Sequence, residues 1–244
     1  MLAEKLGQRG ARVVAIARRP RELAEVAGRA GAGALAIAAD VTRRDEVEGA
    51  VQQALTRCGQ IDVWINNAGR GISRPVAELS DADFDEMMLV NVKSALYGIQ
   101  AVLPHFRARG RGHIINISSM LGRVPFAPVR SAYTAAKHAL NGLSASLRME
   151  LAATHPEIRV SVIHPGIVAT EFGVRALHGG ADSRHLPNAQ SPEVVADVIA
   201  GVIDEPRADV YTAPDAQQMV VGYFAAEDMA AVEARIAFTP PRRS

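Results

Sequence analysis

Short apolar runs alternate with longer helical patterns along almost all of this 244-residue chain. Most of the short runs are continuously hydrophobic, which is typical of strands covered on both faces of a parallel sheet. Such alternation indicates repeated βαβ units and an α/β fold. The predicted strands cover residues 12–17, 34–39, 61–66, 113–118, 159–164 and 209–211, and the predicted helices cover residues 21–29, 43–57, 81–109, 132–154 and 192–204.

Three places depart from that simple alternation. Residues 171–190 contain three glycines and a proline with little periodicity, and a segment of that length is more often a mobile substrate lid than a structured element. Residues 213–237 predict two short helices that cap the fold. Pro104 lies inside the long predicted helix and is expected to kink it or end it early.

Composition excludes several classes of function. Lys and Arg (27) nearly balance Asp and Glu (26), and no basic stripe or aromatic platform predicts a nucleic-acid partner. No apolar run approaches the roughly 18 residues that span a membrane, and the N-terminus lacks the apolar core of a signal peptide, so we expect a cytoplasmic protein. The single cysteine, Cys58, fits a reducing compartment. The seven histidines show no metal-ligand spacing, so no metal is predicted.

Tyr133 and Lys137 stand four residues apart within a predicted helix and therefore share one face. A positive charge beside a phenol favours the phenolate and lowers its pKa from about 10. A phenol with a lowered pKa is a usable general acid or base near neutral pH. Taken alone, the two residues could equally be an ordinary helix pair.

Further motifs accompany this pair in a definite order along the chain. They are Asp40-Val41, Asn66-Asn67-Ala68-Gly69, Asn91, Ser119 at the end of the fourth predicted strand, and Pro165-Gly166-Ile167-Val168-Ala169-Thr170. With Tyr133 and Lys137, the set resembles the short-chain dehydrogenase/reductase family along nearly the whole chain. The resemblance implies a single Rossmann-like domain over residues 1–244 with a doubly wound parallel sheet.

The same resemblance implies an oxidoreductase that interconverts a secondary alcohol and a ketone by hydride transfer with a nicotinamide cofactor. Tyr133 would exchange a proton with the substrate oxygen, while Lys137 would lower the pKa of Tyr133 and hold the nicotinamide ribose. Ser119 would hydrogen-bond the substrate oxygen and stabilise developing charge. Asn91 would hold a water that links Lys137 to solvent; by itself, it could instead be a helix residue bonded locally.

Family resemblance also implies a cofactor-binding set. Asp40 would accept a hydrogen bond from the adenine amino group with Val41 packed on the ring, and Asp40 could also cap a helix starting at Thr42. Asn67, Ala68 and Gly69 would let the backbone approach the adenosine ribose. The residues that would fix the nicotinamide carboxamide are Pro165, Gly166, Val168 and Thr170.

The coenzyme preference depends on the end of the first predicted strand. NAD-preferring members of the family usually place an acid there, whereas this chain has Ala17 followed by Arg18 and Arg19. A guanidinium suits the 2′-phosphate of NADP through charge-assisted bonds, so NADP(H) is favoured over NAD(H). The alternative is that both arginines are surface charge at a strand end.

One family feature is not found in the sequence. Members normally begin with a strand and a T-G-x-x-x-G-x-G loop that cradles the pyrophosphate at a helix N-terminus. Here residues 1–6 correspond to the helix after that loop, so we expect the sheet without its first strand and an unpaired gap between two buried strands. Either the start is misassigned, or the chain is a short form. The short form would bind cofactor weakly or not at all, and would act as a non-catalytic binding or assembly protein.

The resemblance implies a homodimer or homotetramer packed through the predicted helices 81–109 and 132–154. The candidate substrate-lining residues are mostly apolar, which predicts a small uncharged organic substrate. They are Ile72, Met120, Leu121, Val124, Phe126 and the lid near Phe172.

Overall fold

The computed structural model describes residues 1–237, in which helices and strands alternate as the sequence predicts. The helices are α1 (Leu2–Gln8), α2 (Pro20–Ala30), α3 (Arg44–Cys58), α4 (Asp81–Met88), α5 (Ser94–Arg109), α6 (Ser131–Thr154), α7 (Pro192–Asp204), α8 (Ala216–Phe224) and α9 (Met229–Ile236). The strands are β1 (Val14–Ala17), β2 (Leu35–Ala38), β3 (Val63–Asn66), β4 (Gly112–Ile117), β5 (Ile158–His164) and β6 (Asp209–Tyr211). The predicted α/β fold with parallel strands is confirmed.

The strands of the described residues form two parallel sheets. β1 pairs with β2, and β3, β4, β5 and β6 pair in that order. Ala17 lies opposite Ala38 in the first sheet, and Asn66 lies opposite Asn116 in the second. Within residues 1–237, β1 and β3 each pair on one side only, so the sheet is divided where the sequence predicts a gap.

Helices cover both faces of the larger sheet. Ile114 and Ile115 are adjacent in β4 and point to opposite faces, as alternate strand residues must. Ile114 joins a buried cluster with Val102 and Phe106 of α5, and Ile115 joins a second cluster with Ile199 of α7. Both faces of the larger sheet are therefore shielded from solvent, which explains the continuously apolar strand sequences.

Helix α1 is held against its neighbours by charge pairs and by one close approach. Lys5 pairs with Asp197, and Arg9 Nη2 lies 2.6 Å from Asp204 Oδ2, both on α7. A Cβ on Gly7 would lie 1.7 Å from the carbonyl oxygen of Ala30, so α1 can contact α2 this closely only with glycine at that position.

The long helix predicted at residues 81–109 is divided in the structure into α4, a π-helical turn and α5. A π-helical turn, Leu89–Lys93, separates α4 from α5. The expectation that Pro104 ends the helix early is wrong, because α5 continues through Pro104 to Arg109. The helix ends at Gly110, whose φ of +70° is the left-handed conformation that glycine adopts without strain.

A chain of buried polar side chains joins β3, β4 and α6. Asn66 Oδ1 accepts from Trp64 Nε1 at 2.8 Å, and Asn66 Nδ2 donates to Asn116 Oδ1 at 2.8 Å. Asn116 Nδ2 donates to Ser144 Oγ at 2.8 Å, and Ser144 Oγ donates to the Leu140 carbonyl at 2.7 Å. Because Asn116 and Ser144 are fully buried, these bonds satisfy groups that have no access to water.

We predict that Asn116→Ala lowers the free energy of unfolding by roughly 1–3 kcal/mol, because Asn66 and Ser144 lose buried partners. Equilibrium urea unfolding gives the value. Gln52→Ala, on the exposed side of α3, is the control and should change stability by less than about 0.5 kcal/mol. Equal stability of the two variants would contradict the role of the polar chain.

Candidate active site

The predicted site residues gather at the carboxyl ends of β3, β4 and β5, where open parallel sheets bind their ligands. Ser119 follows β4 after one residue, and the first two turns of α6 bring Tyr133 and Lys137 to the same place. Lys137 is almost fully buried, and its Nζ donates to the carbonyl of Ile117 at 2.7 Å. This bond anchors α6 to the last residue of β4.

Tyr133 belongs to an apolar cluster and is almost fully buried. Its ring centroid is 5.5 Å from that of Phe172 and 5.6 Å from Lys137 Nζ. The buried cluster around it includes Ile72 and Leu121, with Phe126 packed against its edge. Three of the predicted substrate-lining residues, Ile72, Leu121 and Phe126, therefore lie around Tyr133, whereas Met120 and Val124, which are also buried, are not in this cluster. The substrate-lining role of these residues stays a prediction.

The expectation that Lys137 lowers the pKa of Tyr133 is wrong for this arrangement. Burial raises the pKa of Tyr133 to about 12, although the Ser119 hydroxyl and the charge of Arg130 act in the opposite direction. The free energy lost by removing a phenolate from water is larger than the stabilisation that Ser119 and Arg130 provide. The phenol is therefore protonated near neutral pH.

Burial also changes Lys137 itself. It lowers the pKa of the ammonium group to about 7, because the charged form loses its hydration. Near neutral pH a substantial fraction of Lys137 is therefore uncharged. This explains why its proximity alone does not turn Tyr133 into a phenolate.

Asn91 lies in the π-helical turn and connects two parts of the site. Its Oδ1 accepts from the backbone N–H of Arg70 at 3.1 Å, and its Nδ2 donates to the carbonyls of Arg70 and Met87, both at 3.0 Å. The Met87 bond is local, but the Arg70 bonds tie the turn to the segment after β3. The water-holding role of Asn91 stays a prediction.

Gly69 lies where Asn91 and Lys137 approach each other. A Cβ at this position would lie 2.9 Å from Asn91 Oδ1 and 3.5 Å from Lys137 Nζ. Asn67, Ala68 and Gly69 are all exposed, so their backbone is open to a ligand. The structure thus brings three separate predicted motifs to one point.

The segment 165–170 lies between Ser119 and the far end of the predicted lid. Met120 N–H donates to the Pro165 carbonyl at 2.8 Å, and Gly166 N–H donates to Thr212 Oγ1 at 3.4 Å. Val168 forms a parallel bridge with Gln190. Thr170 Oγ1 accepts from Phe172 N–H at 3.3 Å, which links this segment to the ring that covers Tyr133.

The lid over residues 171–190 is more structured than the sequence predicts. It contains a short 3-10 turn, Ser183–His185, and Leu177 bridges to Ile72. His178 Nε2 lies 2.7 Å from Asp83 Oδ1, so the lid is also fastened to α4. The sequence of this segment has little periodicity and therefore predicted no structure, because the contacts that hold it are tertiary.

The predicted adenosine end lies after β1 and β2. Asp40 Oδ1 accepts from Thr42 N–H at 2.9 Å and from Thr42 Oγ1 at 2.7 Å. Burial opposes its ionisation, but the Thr42 bonds and the charges of Arg18 and Arg43 outweigh it, so the pKa of Asp40 is below its ordinary value. Because α3 begins at Arg44, the alternative that Asp40 caps a helix at Thr42 is wrong.

The two predicted phosphate-binding arginines have different surroundings. Arg18 is exposed, with Nη1 3.7 Å from Asp40 Oδ2, and it lines a shallow depression with Asp40 and Glu46. Arg19 Nη1 lies 3.0 Å from Glu22 Oε1 at the start of α2. Val41 is half-buried beside this depression without lining it.

Sequence reasoning did not single out Arg130. It lies one turn before Tyr133 at the start of α6, and its Nη1 donates to the carbonyl of Ile72 at 3.1 Å. The i, i+3 spacing to Tyr133 was the available signal.

Two further findings concern the described part of the chain. No group of three or more His, Cys, Asp or Glu side chains in residues 1–237 is arranged to hold a metal ion. No helix in the same range is long and apolar enough to cross a membrane.

Comparison with known proteins agrees with the fold. A model of the short chain dehydrogenase family matches residues 1–178. An uncharacterized oxidoreductase of Staphylococcus saprophyticus is 35% identical over 206 residues, which cover 82% of this chain and 83% of the relative. A short chain dehydrogenase from Burkholderia cenocepacia, solved in complex with NADP, is similar with a TM-score of 0.80 and 29% identity over 98% of this chain and 92% of that one. The 3-ketoacyl-(acyl-carrier-protein) reductase of Brucella melitensis, complexed with NADH, is similar with a TM-score of 0.76 and 28% identity over 86% of this chain and 88% of that one.

The buried lysine predicts a specific dependence of stability on pH. Its pKa is about 7 in the folded protein and near 10.5 when unfolded, so the unfolded chain binds more protons between these values. The free energy of unfolding of the wild type, relative to Lys137→Met, should therefore rise by a few kcal/mol, as an order of magnitude, from about pH 7 to about pH 10. Urea unfolding at several pH values measures this difference. A constant difference would refute the lowered pKa.

Proposed function

The chain belongs to the short-chain dehydrogenase family, and we propose that it is an NADP-preferring oxidoreductase that interconverts a secondary alcohol and the matching ketone. One observation carries the proposal. Ser119, Tyr133 and Lys137 meet beside a buried apolar cluster, and Asn91 approaches Lys137 at Gly69. No simple structural role requires a buried lysine, a buried phenol and a buried serine at the end of one sheet.

The residues present fit a nicotinamide cofactor at several points. Gly69 leaves open backbone beside Lys137, where a side chain would clash with Asn91 Oδ1. Arg18 and Asp40 line the depression after β1 and β2. Lys137 would hold the nicotinamide ribose, and Pro165, Gly166, Val168 and Thr170 would hold the carboxamide. When bound, such a cofactor donates or accepts the hydride.

The protein side of the reaction is proton transfer and orientation. Tyr133 and Ser119 would hydrogen-bond the substrate oxygen, and Tyr133 would exchange the proton with it. The buried phenol is protonated near neutral pH, so in ketone reduction Tyr133 would donate its proton to the carbonyl oxygen. Phe172 and Ile72 would exclude water and hold the apolar part of a small organic substrate.

The preference for NADP rests on local charge. Ala17 ends β1 where an acid would favour NAD, and Arg18 follows it with an exposed guanidinium. The similar Burkholderia cenocepacia enzyme was solved with NADP, while the Brucella reductase was solved with NADH. The family therefore accommodates both cofactors, and Arg18 is the feature of this chain that favours the phosphorylated one.

We further propose a cytoplasmic homodimer or homotetramer. The single cysteine suits a reducing compartment. α4 and α6 expose Phe84, Leu143 and Met149, which supports packing between copies through these helices and α5.

A non-catalytic binding protein is the competing function. It is favoured by the division of the sheet between β1 and β3 in the described residues, next to the place where a cofactor pyrophosphate would lie. NADPH titration followed by fluorescence separates the two functions. Tight binding excludes the non-catalytic protein, and absence of binding excludes the oxidoreductase for the chain in this form.

We predict that Tyr133→Phe lowers kcat for ketone reduction by about 10²- to 10⁴-fold, because the proton donor is lost. Its affinity for NADPH should stay close to that of the wild type. Steady-state turnover and fluorescence titration give the two values. Tyr97→Phe, a tyrosine of α5 outside the site, is the matched control and should retain activity. Full activity of Tyr133→Phe would refute the proton-transfer role.

For coenzyme choice, we expect Arg18→Ala to weaken NADPH binding by about 10-fold or more, because a charge-assisted bond to the 2′-phosphate is lost. NADH binding should change little. Parallel titrations with both coenzymes measure the effect, with Arg21→Ala on exposed α2 as control. An equal loss for both coenzymes would show that Arg18 does not read the phosphate.

A further inference from the structure

We propose that Arg130 binds a carboxylate group of the substrate beside Tyr133, so that the substrate is a hydroxy acid or the corresponding oxo acid. The inference rests on the proposed function and adds the chemical class of the substrate to it. It differs from the uncharged substrate that the apolar lining predicts.

The guanidinium of Arg130 lies beside Phe172 and Gly180, which both belong to the lid. A Cβ on Gly71 would lie 3.0 Å from Arg130 Nη1 and 2.9 Å from the ring of Phe172. A Cβ on Gly180 would lie 3.0 Å from Arg130 Nη2. Two glycines thus leave room for the guanidinium, which neighbours the same phenylalanine that packs on Tyr133.

No carboxylate in residues 1–237 pairs with Arg130, and five acids of α4, of the segment after β3 and of the lid have other partners. Each of these acids is engaged by another cation: Asp83 with His178, Glu78 with Arg74, Glu86 with Arg70, Glu171 with Arg175, and Asp182 with Arg184. In the described residues, the guanidinium makes one hydrogen bond, to the Ile72 carbonyl. Its remaining donors are available to a ligand.

Arg130 is also placed where a positive charge is costly. The side chain is largely withdrawn from water, and this burial lowers its pKa. It lies at the N-terminus of the 24-residue helix α6, whose dipole is positive at that end, and the first turn contains no acid. A cation under these conditions is stabilised by an anion, and the protein supplies none within the described range.

A carboxylate fits this position for two reasons. Its two oxygens match the planar guanidinium fork, and one arginine balances one negative charge. Phe172 neighbours both groups: a Cβ on Gly71 would touch the Phe172 ring and Arg130 Nη1, and the Phe172 ring packs on Tyr133. An acid held by Arg130 would therefore have its carbonyl or hydroxyl beside Tyr133.

The test compares pyruvate, acetoacetate and laevulinate with their methyl esters as substrates for NADPH oxidation. For each acid that the wild type reduces, kcat/KM should be higher than for the methyl ester of the same acid. In Arg130→Met this ratio of kcat/KM values should fall by about 10- to 100-fold, mainly through a higher KM for the acid. Arg130→Lys should give a smaller loss, because it keeps the charge without the fork.

Arg175→Met is the matched control, since this lid arginine is exposed and paired with Glu171. It should leave the ratio of acid to ester unchanged. Equal use of acids and esters by the wild type, or an unchanged ratio in Arg130→Met, overturns the proposal and leaves the oxidoreductase function intact. If Arg130→Met does not fold, an unchanged ratio in Arg130→Lys has the same meaning.

If no probe is reduced by any variant, turnover does not report on Arg130, and binding decides about it. The thermal unfolding midpoint of the cofactor-free protein is then measured with each acid and each ester. A rise with an acid that the ester does not cause, and that Arg130→Met abolishes, supports the carboxylate site. Equal shifts with acid and ester, or no shift, overturn it.

Discussion

The hydrogen bond from Lys137 to the carbonyl of Ile117 is the interaction on which the rest of the site depends. It seats α6 on the end of β4, and therefore places Tyr133, one turn earlier on the helix, beside Ser119, which follows the strand. The bond requires the ammonium group to be buried, and burial lowers its pKa to about 7. Because the bond that positions α6 requires a buried Lys137, the lysine is only partly charged at neutral pH.

The other half of the site depends on the π-helical turn between α4 and α5. The turn places Asn91 so that its amide group bonds both the N–H and the carbonyl of Arg70, as a neighbouring strand would. The segment after β3 is thereby fixed against the helix, and Gly69 is held next to Lys137. The buried chain from Asn66 through Asn116 to Ser144 connects the same strands to α6. These hydrogen bonds fix the relative positions of the strands and helices, whereas the apolar clusters hold the same elements together without specifying their alignment.

Sequence reasoning failed where the outcome depended on burial or on contacts between distant segments. The i, i+4 spacing correctly puts Tyr133 beside Lys137, but it carries no information on desolvation, which reverses the expected pKa change. The apolar periodicity of residues 81–109 does not distinguish a continuous helix from one containing a π-helical turn. The lid looked unstructured because Leu177 and His178 find their partners, Ile72 and Asp83, roughly 100 residues away in the chain.

The sequence by itself determined the strand and helix order, the parallel sheet and the candidate catalytic residues, because local periodicity and motif order can be read directly along the chain. Only the tertiary structure decided the protonation of Tyr133 and Lys137 and the isolation of Arg130 from any acid of the described residues. The physical reason is that hydration and ion pairing depend on which groups fold next to each other. In the sequence, Arg130 looks like any other arginine. In the fold, it has no acidic partner among the described residues, because the acids pair with other cations.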